Sequence, residues 1–336
     1  MKAVAFTHSR PITVEDALID VDLPVPEPRG HDLLVAVKAV SVNPVDARIR
    51  HHDDPLGTYR VLGFDAAGIV RGVGSEVRHF GVGDEVYYAG VPSRPGSNAE
   101  YQLVDERIAG RKPKTLTFAQ AAALPLTGLT AWEMFFERFK IPRDQSAGGN
   151  LLIMGAAGGV GSIGIQLAAE LTDLTVIATV SRPETAEWCR SLGAHHVIDH
   201  SRDLAAQFAS HGLAAPDYIF CISHTHAHWR ELARLLAPQG SIGILEHGAL
   251  LDISVLWEKC ASVHFEYVFA RGQQKNRDIA TQHRTLEAIA HLVDTGVLRT
   301  TMTENYGPIN AANLKRAHAA IETGHVHGKI VLEGFA

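Results

Sequence analysis

From Met1 to about Ala123 the apolar positions come in short alternating runs, such as Leu33-Leu34-Val35-Ala36-Val37-Lys38-Ala39-Val40 and Ala67-Gly68-Ile69-Val70. Pro24, Pro26, Pro28, Gly30, Gly72, Gly74, Gly81 and Gly83 break them at short intervals. Alternation places every second side chain on one face, so this part predicts an antiparallel, barrel-like β domain with tight turns. The pattern changes near residue 150. Leu151 to Met154 is an apolar run that stops at glycines, and an amphipathic segment with Ile163, Ile165, Leu167, Ala168 and Leu171 follows. That is strand, tight turn, helix. Further strands are expected at Thr175–Thr179, His196–Asp199, Tyr218–Cys221 and Ser241–Leu245, with helices from Pro183 to about Leu192 and from about Ala227 to Leu236. Strands alternating with helices imply a parallel sheet covered on both faces. The last apolar run, Gly328-Lys329-Ile330-Val331-Leu332, reads as a strand returning to the first domain. The expected class is α/β, a Rossmann doubly wound parallel sheet beside an antiparallel β-barrel, with domains at 1–125, 126–265 and a return at 266–336.

The turn between the first parallel strand and its helix carries the most chemistry. In Gly155-Ala156-Ala157-Gly158-Gly159-Val160-Gly161, Gly158 and Gly161 fit the last two glycines of the dinucleotide fingerprint. Ala156 stands where the first is usual, and Gly155 lies one step earlier. Glycines there let the backbone approach a pyrophosphate, whose charge meets free N–H groups and the positive end of the helix dipole. Glycine turns also occur for structural reasons, but here strand and helix flank the motif as it requires. Ala156, Gly158, Gly159, Val160 and Gly161 are therefore expected to line a dinucleotide. An enzyme using NAD places an acidic residue near the end of the second strand to bind the ribose hydroxyls. Here that end reads Ile177-Ala178-Thr179-Val180-Ser181-Arg182-Pro183-Glu184. Ser181 and Arg182 offer a hydroxyl and a planar cation, which suit a 2′-phosphate and point to NADPH. Arg182 also suits an ordinary surface position before a helix.

Composition narrows the class. The formal net charge is −6 and there is no basic block, so nucleic acid and membrane surfaces are not expected partners. The start, Met1-Lys2-Ala3-Val4-Ala5-Phe6-Thr7-His8, turns polar too soon for a signal peptide, and no apolar run is long enough for a bilayer. Cys189, Cys221 and Cys260 are widely spaced and read as buried small hydrophobes, which suits the cytoplasm. Ser223-His224-Thr225-His226-Ala227-His228-Trp229 holds three histidines. His224 and His228 would share a helix face if the helix began that early. No cysteine or carboxylate accompanies them at ligand spacing, so a solvated loop and helix start is the favoured reading over a metal site.

Domain order and local motifs together resemble the medium-chain dehydrogenase/reductase superfamily, and within it the zinc-free quinone oxidoreductase, zeta-crystallin-like branch. The chain is most similar to the bacterial group labelled zinc-type alcohol dehydrogenase-like. The motifs are Ser41-Val42-Asn43-Pro44-Val45-Asp46, Leu62-Gly63-Phe64-Asp65-Ala66-Ala67-Gly68, Gly81-Val82-Gly83-Asp84-Glu85-Val86, Pro95-Gly96-Ser97-Asn98-Ala99-Glu100-Tyr101, Ala121-Ala122-Ala123-Leu124-Pro125-Leu126-Thr127, the glycine turn, and Leu192-Gly193-Ala194-His195-His196-Val197-Ile198. The resemblance implies a GroES-like first domain, a small-molecule substrate and a homodimer paired through a Rossmann edge strand. It also implies that Cys221 and Ile222 lie beside the cofactor ribose and that Thr127, with Thr130 a turn later, passes under the nicotinamide. Thr127 equally suits a helix N-cap.

The sequence departs from the family's zinc enzymes. Their cysteine and histidine ligands are replaced by Asn43 and Phe64, and no cysteine precedes Cys189. Phenylalanine offers zinc no ligand atom, so no metal is expected. Without a Lewis acid or a Tyr-x-x-x-Lys pair, an electron-poor quinone or conjugated carbonyl is the easier hydride acceptor. The resemblance places Asn43 at a substrate-side amide, so it is the expected catalytic donor, with Tyr59 and Tyr88 as weaker candidates for shaping the pocket. Asn43 equally suits a turn before Pro44. Asp46 and Asp65 read as scaffold residues that satisfy backbone or an arginine. The expected activity is an NADPH-dependent, zinc-independent reductase. The alternatives are a zinc-dependent alcohol dehydrogenase and a nucleotide-binding protein without turnover.

Overall fold

Alternating residues in the N-terminal part form β1 (Lys2–Phe6), β2 (Ile19–Asp22), β3 (Asp32–Ser41), β4 (Arg60–Val61), β5 (Asp65–Val73), β6 (Glu85–Ala89), β7 (Tyr101–Asp105) and β8 (Ala109–Arg111). Helices α1 (Pro44–His52), α2 (Phe118–Ala122) and α3 (Pro125–Trp132) join them. The computed structural model describes residues 1–143, 146, 148–246, 250–275 and 277–335. It divides into one unit of Met1–Leu129 with Phe269–Ala336 and a second of Thr130–Val268, and α3 runs through the first division.

The second unit continues with β9 (Gly148–Met154), α4 (Gly159–Leu171), β10 (Asp173–Val180), α5 (Pro183–Ser191), β11 (His196–Asp199), α6 (Leu204–Ser210), β12 (Tyr218–Cys221), α7 (Thr225–Leu235), β13 (Ser241–Ile244) and β14 (Ser262–Phe265). Its strands pair in parallel in the order β11-β10-β9-β12-β13-β14, the doubly wound arrangement that alternating strands and helices imply. β9 lies centrally, and Leu151, Leu152 and Ile153 are fully buried, as a strand covered on both faces requires. Leu152, Met154, Ile177, Ile219 and Ile242 pack with Trp229 and Leu232 of α7 in one core. The sequence reading missed two of these elements, α6 and the edge strand β14. It also started α7 two residues late.

The chain then returns through α8 (Ala270–Gln274), α9 (Thr281–Asp294), β15 (Met302–Asn305), α10 (Ala311–Glu322) and β16 (Lys329–Glu333). β16 pairs antiparallel with β3, with Leu332 opposite Val40, so the final apolar run does join the N-terminal sheet. That sheet runs β15-β16-β3-β5-β6-β8, with β7 also on β3, and is antiparallel apart from the β15–β16 pair. Leu33, Val35, Val37 and Val40 of β3 meet Val86 and Tyr88 of β6 and Ile330 and Leu332 of β16 in the core of this unit. Among the described residues no helix is long and apolar enough to cross a membrane. The cysteines split: Cys189 and Cys221 are buried, whereas Cys260 is exposed, contrary to the sequence reading, because it ends a 3₁₀ turn with φ +50°.

Candidate functional site

In the second unit, β9 ends at Met154 and the chain turns sharply at Gly155, whose φ is +73°. A Cβ there would lie 2.5 Å from Ser223 Oγ as well as in a backbone region L-residues avoid. The tight-turn glycine is therefore Gly155. Ala156, expected at that place, is instead fully buried, with its N–H on the Thr179 carbonyl at 3.4 Å. Gly158 caps α4 in extended backbone, and a Cβ on it would meet only the Gly155 carbonyl oxygen, at 3.6 Å. The space in front of it is open to a ligand. Gly161 is the opposite case: a Cβ would come within 2.3–2.5 Å of the Ala156 backbone, so glycine here lets α4 press on the turn. Gly159 and Val160 open the helix, where first-turn N–H groups have no partner inside the helix. One glycine for the turn, one for ligand approach and one for helix packing is the division of labour a pyrophosphate turn needs.

Three contacts that sequence reasoning missed fix this turn. Thr179 Oγ1 accepts from the Gly155 N–H at 3.3 Å, Ser162 Oγ donates to the Ala157 carbonyl at 3.1 Å, and Trp188 Nε1 donates to Ser162 Oγ at 2.8 Å. At the end of β10, Ser181 is exposed and Arg182 sits at the N-cap of α5, paired with Glu184 at 3.6 Å. Cys221 ends β12 beside this turn with its thiol turned away from it. Its side chain is fully buried in the sheet core, where burial and the nearby Glu246 carboxylate push its thiol up. Ile222, half-buried, donates its N–H to the Met154 carbonyl at 3.3 Å, which brings Ser223 against Gly155.

In the first unit, Asn43 stands before α1, with Pro44 at the first helical position. Asp46 accepts from the N–H groups of Asn43 at 2.8 Å and Gly63 at 3.1 Å. Asp65 accepts from the Leu126 N–H at 2.7 Å, from Asn43 Nδ2 at 2.8 Å and from Lys329 Nζ at 3.2 Å. Lys329 also donates to the Val42 carbonyl at 2.9 Å and to Asn43 Oδ1. Both aspartates are scaffold residues as expected: Asp46 satisfies backbone, and the cation that Asp65 meets is a lysine rather than an arginine. Burial pushes Asp46 up to about 7 and raises Asp65 against the pull of Lys329; burial lowers Lys329 against the pull of Asp65. Asn43 is thus corrected. Its NH₂ faces Asp65 and, at 3.4 Å, the Ser41 carbonyl, so both hydrogens are committed within the unit rather than offered to a substrate.

Of the two tyrosines, Tyr88 is corrected too. Tyr88 is fully buried in the β-domain core, with a hydroxyl that has no partner among the described residues and is pushed up by burial, and Tyr59 is 57% exposed. Thr127 is buried in the third position of α3, and its hydroxyl donates back to the Ala123 and Leu124 carbonyls rather than capping the helix. Thr130, one turn on, is likewise buried. The donor set does not fit zinc. Phe64 packs its ring on Phe269 at 4.8 Å, and the neighbouring amide is engaged as described. The three-histidine motif does not hold together either. His224 precedes α7 with φ +60° and His226 is exposed, and no group of three metal-ligating side chains is placed for an ion among the described residues.

Residues 29–125 match the model of the alcohol dehydrogenase GroES-like domain, and residues 192–332 match that of a zinc-binding dehydrogenase. A zinc-type alcohol dehydrogenase-like protein of Staphylococcus aureus is 40% identical over 310 residues, 91% of this chain and 92% of the relative. A solved structure from Rhizobium etli CFN 42, called a zinc-dependent alcohol dehydrogenase protein, is 53% identical with a TM-score of 0.96, covering 100% of this chain and 98% of that one. The quinone oxidoreductase of Escherichia coli, solved with NADPH, is 25% identical with a TM-score of 0.84, covering 99% and 100%.

Proposed function

Because the chain belongs to the medium-chain dehydrogenase/reductase superfamily, in its zeta-crystallin-like branch, and is an oxidoreductase, we propose that it reduces a quinone or an α,β-unsaturated carbonyl compound with NADPH and without a metal. The observation that carries this reading is the turn after β9, with Gly158 facing open space and Ser181 and Arg182, not a carboxylate, at the end of β10. Bound there, NADPH would supply the hydride. The first-turn N–H groups of Gly159, Val160 and Gly161 would meet the pyrophosphate, and Arg182 would exchange Glu184 for the 2′-phosphate. With no fit for zinc, the acceptor must spread its own charge, as a quinone or a conjugated carbonyl does. The NADPH complex of the Escherichia coli quinone oxidoreductase supports the same assignment.

Arg182→Ala should weaken NADPH binding and leave NADH nearly unchanged. A charge-assisted hydrogen bond is worth about 1.5–3 kcal/mol, so the loss should be roughly ten- to a hundredfold in a fluorescence titration. Equal loss for both cofactors, or none for either, would refute this role of Arg182.

We also propose that a second copy of the chain pairs along β14. Among the described residues this strand pairs only with β13, at the edge of its sheet, and Ile253, Trp257 and Phe265 nearby are 65%, 84% and 67% exposed. An unpaired edge beside exposed large apolar side chains is costly in water and suits a self-complementary interface. Light scattering should give twice the chain mass, and Phe265→Asp with Trp257→Asp should halve it with an unchanged circular dichroism spectrum. A monomeric wild type would remove this proposal.

A further inference from the structure

A tryptophan reaches the glycine turn from a second helix. Trp188 lies on α5, which Pro183 opens and whose start Thr185 fastens by donating from Oγ1 to the Arg182 carbonyl at 2.8 Å. The side chain is half-buried, and its Nε1–H donates to Ser162 Oγ at 2.8 Å. Ser162, fully buried near the start of α4, donates in turn to the Ala157 carbonyl at 3.1 Å. The chemistry of the two groups fixes the direction of this relay. An indole N–H can only donate, and a serine hydroxyl has one hydrogen. A serine inside a helix often gives that hydrogen to the carbonyl four residues back. Here that is the Gly158 carbonyl, which already accepts the Ser162 N–H at 2.8 Å. With the Trp188 N–H on an oxygen lone pair, the hydroxyl hydrogen is directed to Ala157.

The peptide held this way borders the space left open at Gly158. In a trans peptide the carbonyl and the N–H point in opposite directions. The Ala157 carbonyl points to Ser162 inside the fold, and the Gly158 N–H donates to the Gly155 carbonyl at 3.3 Å. Gly158 has no Cβ, and glycine enters both halves of backbone space with little cost, so Gly158 itself does not resist rotation of this peptide. A rotated peptide would turn the Ala157 oxygen toward the open space, where its partial negative charge repels an anion. The glycine that admits a pyrophosphate therefore leaves the adjoining peptide in need of a tie. We propose that Trp188 is a positioning residue for the dinucleotide, acting through Ser162 to keep the Ala157 carbonyl out of the ligand space. This rests on the dinucleotide reading and extends it to a residue in the second turn of α5. Arg182, at the N-cap of the same helix, is assigned to the 2′-phosphate that NADPH alone carries. Trp188 acts on the pyrophosphate that NADPH and NADH share, so the two residues differ in which cofactor they affect.

The experiment is a double-mutant cycle on the whole protein: Trp188→Phe, Ser162→Ala and the two together, read by isothermal titration with NADPH and with NADH. Trp188→Phe keeps an aromatic ring on α5 and removes the N–H. Each single variant should bind both cofactors roughly three- to tenfold more weakly, the scale of one hydrogen bond, with the NADPH-to-NADH ratio unchanged. Because Trp188 acts through Ser162, the double variant should bind no more weakly than Ser162→Ala alone. Unchanged affinities in a folded Trp188→Phe protein overturn the role, and so does a loss confined to one cofactor. Losses that multiply in the double variant overturn it as well, because they mark two independent packing effects. Should Trp188→Phe not fold, Ser162→Ala decides: full affinity overturns the proposal, and equal loss for both cofactors supports it. A wild type that binds neither cofactor overturns the dinucleotide reading and this inference with it, whereas a preference for NADH leaves this inference standing.

Discussion

Gly158→Val is expected to leave the protein folded and to weaken binding of both NADPH and NADH more than a hundredfold. The backbone at Gly158 has φ −68° and ψ 177°, a conformation valine adopts without strain. The added Cβ meets nothing of the protein closer than 3.6 Å, so the branched side chain projects into the space proposed for the pyrophosphate. Losing close approach to the N–H groups of the turn removes the contacts both cofactors share. Gly161→Val is the contrasting variant. Its Cβ would overlap the Ala156 backbone, so it should disturb the packing of α4 and lower the thermal midpoint as well as binding. Circular dichroism and fluorescence titration on the same samples separate the two. A folded Gly158→Val protein that keeps its NADPH affinity would remove the dinucleotide from this turn.

Lys329→Met is expected to be the most destabilising single change in the first unit, by about 3–5 kcal/mol. Lys329 is 3% exposed and its ammonium faces Asp65, Asn43 and the Val42 carbonyl. Removing it leaves the Asp65 carboxylate buried without its counter-charge, and the amide of Asn43 without its acceptor's partner. Adding Asp65→Asn takes away the orphaned charge but keeps an oxygen for the Leu126 N–H, so the double variant should recover at least half of the loss. Urea unfolding followed by fluorescence reads both. Equal midpoints for wild type and Lys329→Met would mean that the cluster is not held as an ion pair.

The two units differed in how openly the sequence declared them. The glycine turn was legible because its requirements are local: a strand, a turn with a left-handed residue and a helix within a dozen positions. Even so, the residue that makes the turn was placed one step late, since Ala156 satisfies the motif by spacing while Gly155 satisfies it by φ. β14 was missed because Ser262-Val263-His264-Phe265 is short and, at an edge, only partly buried. The partner that Asn43 and Asp65 share could not be read from spacing, because Lys329 lies 264 residues from Asp65. One signal was present in the sequence: a lysine at the head of the apolar run Ile330-Val331-Leu332 needs a buried partner. The histidine motif forms the loop and helix start read from the sequence, but its contacts were illegible for a similar reason. His224 and His228 meet His200, which only the parallel register of β10 and β11 brings near Ser181.

The central claim is hydride transfer from NADPH to an electron-poor acceptor by a protein that needs no metal. The direct test is NADPH oxidation followed at 340 nm, a standard wavelength for the reduced nicotinamide, using enzyme dialysed against chelator and checked for metal content. The account predicts turnover with a quinone or an enone, no gain on adding zinc, and no oxidation of simple alcohols with NADP⁺. Activity that appears only with zinc and an alcohol would contradict it.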